Sequence, residues 1–129
     1  MSSSRQEDYL IRQARIVAAM LARILGLRTG GSTEEARAEL ENAYALLLGP
    51  QGELVRRVDS TTAAALLASP DAILALARLT LEEAEQAGDP GRAEALRRRA
   101  LELGLEAANR DSASEEARAF LLALREERH

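Results

Sequence analysis

Carboxylates and arginines are the plentiful side chains here that could do chemistry, because the 129-residue chain has no cysteine and a single histidine. Without cysteine there is no disulfide, thiolate nucleophile or sulfur-ligated metal. His129 stands at the end of the sequence, where a side chain expected to fray serves poorly as a base or ligand. A di-iron bundle needs inward glutamates with a histidine three residues on, and no such pair occurs. No histidine is placed to activate the serines and threonines as nucleophiles. The sequence therefore predicts no catalytic residue, no metal and no cofactor.

Most carboxylates have a local purpose instead. Asp59, Asp89 and Asp111 precede helical stretches as caps, and Glu34, Glu35, Glu115 and Glu116 fall in first turns, where the helix dipole favours negative charge. Glu82, Glu83 and Glu85 break this pattern by crowding the end of a helix, the electrostatically unfavourable place. Catalysis would require such charges to converge from separate helices.

All 17 basic residues are arginine. Arg97, Arg98 and Arg99 point in different directions around a helix, although Arg98 is spaced to pair with Glu94 and Glu102. Arg12 is likewise one turn from Asp8. No aromatic side chain interleaves with these arginines to stack on bases, and the net charge of −4 opposes nonspecific nucleic-acid binding. Gly30-Gly31-Ser32 could present free N–H groups to an anion, but it lacks the lysine and spacing of a phosphate loop.

These groups must be carried by helices. Alanine and leucine dominate, and only Tyr9, Tyr44 and Phe120 are aromatic, so the expected class is all-α with about five to six helices. The punctuation divides one domain, residues 1–129, into a first hairpin (5–48), a short-helix connection (53–69), a second hairpin (70–109) and a closing helix (112–128). Ser32 with Glu35, and Ser112 with Glu115, have capping-box spacing. Thr33–Leu40 and Ser114–Leu121 are similar octapeptides.

A second spacing occurs twice: Gly31, Ala36, Ala43 and Gly88, Ala93, Ala100. Each set predicts a glycine at a helix boundary and two small residues that let the next helix press against the one before. The run from Gln86 to Leu103 resembles the turn and second helix of a tetratricopeptide repeat, and Gly31 to Leu47 resembles it more weakly. The first-helix positions depart from that family's aromatic and small residues, carrying Ala77 and Leu81, or Met20 and Ile24. The layout is similar to a short bacterial family of unknown function with a long leading helix and one recognisable repeat. The resemblance implies tetratricopeptide-like hairpins and, as an alternative role, a peptide-binding adaptor.

The leading helix is the remaining puzzle. Tyr9, Ile16, Met20, Ile24 and Leu27 line one side, and Leu10, Ala14, Val17, Leu21 and Leu25 line the next. Together they span roughly 200°, about twice the arc that one core requires. The first set is the expected interface, with a homodimer as the leading expectation and another protein or a peptide as the alternative partner. No signal-like leader or membrane-spanning run is seen, so a cytoplasmic protein is expected.

Overall fold

The computed structural model describes residues 2–127, with side-chain surroundings described from 8 to 126. Among these residues are five long helices and two short ones: α1 (Ser2–Thr29), α2 (Thr33–Leu48), α3 (Gly52–Arg57), α4 (Ser60–Leu67), α5 (Pro70–Gln86), α6 (Pro90–Arg110) and α7 (Glu115–Glu127). A 3-10 turn, Gly49–Gln51, joins α2 to α3. The all-α bundle follows from the composition.

Helix ends follow local chemistry. Gly31, at φ +88°, closes α1: its N–H donates to the Arg28 carbonyl at 3.2 Å and that of Ser32 to the Leu27 carbonyl at 2.8 Å. This pair of bonds is a Schellman closure, which favours glycine at the left-handed position. Asp59 accepts from the Thr62 N–H at 2.7 Å and Asp89 from that of Arg92 at 2.9 Å, capping α4 and α6. Proline opens α5 and α6, where its missing N–H leaves no bond unmade.

Both expected capping boxes fail. Ser32 makes no side-chain cap because its backbone (φ −85°, ψ 64°) lies outside the extended region that aims a hydroxyl at the first turn. Asp111 to Ser114 forms a turn that delays α7, so Ser114 rather than Ser112 caps it, accepting from the Ala117 N–H at 3.1 Å.

The two glycine-alanine sets are unequal. Ala36, Ala43 and Ala100 are fully buried at helix contacts, whereas Ala93 is only half-buried. Gly88 is exposed, lacks a positive φ and has open space where a Cβ would stand, so its position does not require glycine. The physical reason is that Ala87, in extended conformation, already ends α5.

The core is centred on α5, which packs against α6, α1 and α2. From Ala72 to Ala77 every α5 side chain is buried, and Leu79, Thr80, Glu82 and Ala84 follow. Among the described side chains of α1, Val17 and Ile24 are completely buried and Gln13 nearly so. The rest of the chain covers part of the apolar arc of α1, packing Leu10, Ala14, Met20, Leu21 and Leu27 against the core while Tyr9, Ile16 and Leu25 stay exposed.

Candidate docking groove and charged clusters

The three glutamates ending α5 meet arginines from other helices. The Arg28 guanidinium reaches across from α1, its Nε 2.8 Å from Glu82 Oε2 and its Nη2 3.3 Å from Oε1, while Gln86 donates to the same carboxylate at 3.1 Å. That contact raises the Arg28 pKa. Glu85 pairs with Arg97 of α6.

Glu83 is gripped from three helices. The Tyr44 hydroxyl donates to Oε1 at 2.6 Å, Arg56 Nη2 lies 3.4 Å from that oxygen, and Arg92 Nη2 donates to Oε2 at 2.6 Å. Arg56 also stacks over the Tyr44 ring, 4.0 Å from its centroid, and bonds Glu41 at 2.9 Å. Burial, followed by the Glu83 charge and hydrogen bond, pushes the Tyr44 phenol far above its usual range. The phenol is held neutral as a donor, which disqualifies it as a base at ordinary pH.

A cavity of about 190 Å³ borders this cluster, with Arg99 on its wall. Arg99 donates to the carbonyls of Val58 at 2.7 Å and Val55 at 2.8 Å, satisfying the end of α3. Its charged groups are thus committed to one another or to helix ends. Among the described residues no group of three or more His, Asp or Glu is placed to hold a metal ion.

A different concavity lies on the other side of α5. Two adjoining cavities, of about 440 and 340 Å³, share Leu21 and Arg78 and together form a groove floored by α5 between walls from α1 and α7. Ile11, Ala14 and Ala18 line it from α1, Leu74 and Leu81 from α5, and Phe120 from α7. Asp71 and Glu116 lie at one end with Arg15, and Glu82 and Glu85 at the other with Arg28, so the three helices run in the same direction.

The five expected interface residues separate. Tyr9 and Ile16 are exposed, at 51% and 47%, along one edge of α1. Met20 and Leu27 are partly buried against the core, and Ile24 is completely buried, so Ile24 is a packing residue rather than part of an exposed interface. The core draws from the seam between the two expected sides, because Val17 and Ile24 lie on either side of their boundary. Among the described residues of α1, exposed apolar surface lies on two separate edges: Tyr9 with Ile16, and the groove side with Ala18 and Leu25 beside the half-buried Ile11.

Other expected pairs rearrange. Arg12 makes no ion pair with Asp8, and Glu102 accepts from Ser60 Oγ at 2.7 Å rather than serving Arg98. Gly104, not singled out by the spacing argument, is where α7 seats: a Cβ there would lie 2.9 Å from the Phe120 ring and from Leu121 Cδ2. Its position four residues after Ala100, on the same helix face, is the signal that could have found it. No described helix is long and apolar enough to cross a membrane.

No protein-family model, curated protein or solved structure matches the chain.

Proposed function

We propose that this chain is a noncatalytic protein-interaction module whose docking face is the groove between α1, α5 and α7. The observation that carries this reading is an uncovered concavity in which apolar side chains (Leu21, Leu74, Leu81, Phe120) alternate with charged ones at its ends and centre, beside charged clusters whose groups already serve one another. A recognition groove combines apolar surface with a few polar groups that set orientation. The hairpins α1–α2 and α5–α6, followed by α7, are read as a divergent tetratricopeptide-like stack with a peptide-adaptor role.

The probe for this reading is an amphipathic leucine- and alanine-rich helical peptide, titrated into isotope-labelled protein while amide shifts are followed. Perturbations should concentrate along α1, α5 and α7, and Ala18→Glu should abolish them without changing the melting temperature, because Ala18 is exposed. Absence of binding, or perturbations confined to other faces, would defeat the proposal.

A second reading rests on Tyr9 and Ile16, seven residues apart and both about half exposed on the opposite edge of α1. That edge suits a second copy of the chain, giving a homodimer. Light scattering should then report a dimer that Ile16→Glu returns to a monomer; a wild-type monomer at high protein concentration removes this reading.

A further inference from the structure

Arg78 is the distinctive charge in the groove. It stands mid-helix on the floor, half-buried, and borders both cavities. It has no ion pair or side-chain hydrogen bond with the described residues. Glu82, one turn later, has the spacing of a natural partner, yet its carboxylate is turned to Arg28. The other unpaired groups have simpler explanations: Asp71 and Glu116 occupy first turns, where the helix dipole favours them, and Arg15 is solvent-exposed. Arg78 thus presents a planar fork of donors on the α5 face that carries Leu74 and Leu81, with the other charged groups of the groove towards its two ends, suited to bidentate recognition of a carboxylate.

Resting on the reading of the groove as a docking face, we infer that its occupant is an amphipathic helix from a partner protein, bearing one Asp or Glu midway along an apolar stripe to meet Arg78. The floor from Asp71 to Glu85 is about 21 Å long, or roughly four helical turns. Arg78 lies at its midpoint in sequence. α1 packs directly on α5, whereas α7 is held by α6 and reaches the groove through Glu116 and Phe120, so the space over α5 between α1 and α7 is left for one further helix. The chain's net charge of −4 and the acidic groups at both groove ends disfavour an extended acidic tract. A single central carboxylate within apolar surface satisfies both constraints.

The test uses three labelled helical peptides of equal length, identical except for Glu, Gln or Lys at the centre of the apolar stripe. Fluorescence anisotropy with the full chain should show the Glu peptide binding about tenfold or more tightly than the Lys peptide, as expected for a charge-assisted contact. Arg78→Gln should erase that preference and Arg78→Glu should invert it, with helicity measured for each variant. Binding of all three peptides without preference would overturn the carboxylate assignment while leaving the docking face standing. Binding of none would overturn both. A wild-type dimer that Leu25→Glu dissociates would give the groove to a second copy and likewise overturn the partner assignment.

Discussion

Arg28 and Glu82 join the ends of α1 and α5 through a two-pronged ion pair in which the arginine is partly exposed and the glutamate is buried. Burial makes the pair asymmetric, because removal of the cation strands a carboxylate away from water. Arg28→Ala should therefore destabilise the protein by about 2 kcal/mol. Replacing both partners with methionine should restore most of that loss, because no buried charge is left unmatched. Urea unfolding followed by circular dichroism checks both; an Arg28→Ala variant as stable as wild type would show that water already screens Glu82.

This pair also marks how far the sequence could be read. Helix identity was legible because each long segment has its own punctuation, such as Asp89-Pro90 before α6 or Gly30-Gly31 after α1. The surplus apolar arc of α1 was legible too, but its destination was not. Which edge remains uncovered depends on where α7 sits, and that depends on the contact of Gly104 with Phe120 across two helices. The acidic end of α5 looked anomalous because its compensating arginines, Arg28, Arg56, Arg92 and Arg97, are distributed over α1, α3 and α6. Long-range pairing of this kind leaves no periodic trace in one chain.

Two glycines inside helices should respond oppositely to the same methyl group. At Gly26 in α1 an added Cβ meets nothing within 4 Å, so Gly26→Ala should stabilise by up to about 1 kcal/mol through helix propensity. At Gly104 the same change pushes against the Phe120 ring and Leu121. Overpacking costs about 1–3 kcal/mol, enough to cancel or exceed the propensity gain. Hydrogen exchange should show faster opening of α7 in Gly104→Ala, with the slowest amides of α5 less affected. Equal stabilisation by the two substitutions would contradict the tight seating of α7.

Ala68 is the sole non-glycine residue with positive φ among the described residues. At φ 65° and ψ −42° it sits at the centre of a γ-turn closed by the Ser69 N–H donating to the Leu67 carbonyl at 2.7 Å. This variant of the turn is strained for an L-residue, and the strain is held between the end of α4 and the buried cap Ser69 of α5. Glycine relieves the steric penalty but adds freedom to the unfolded chain, so Ala68→Gly should produce a net stabilisation of about 1 kcal/mol. Gly31→Ala supplies the converse: at φ +88° an alanine is strained whatever space surrounds it, and stability should fall by about 1 kcal/mol. Thermal unfolding of the two variants beside wild type should move the midpoints in opposite directions. A decrease in Ala68→Gly would mean that the γ-turn is not retained between α4 and α5 in solution.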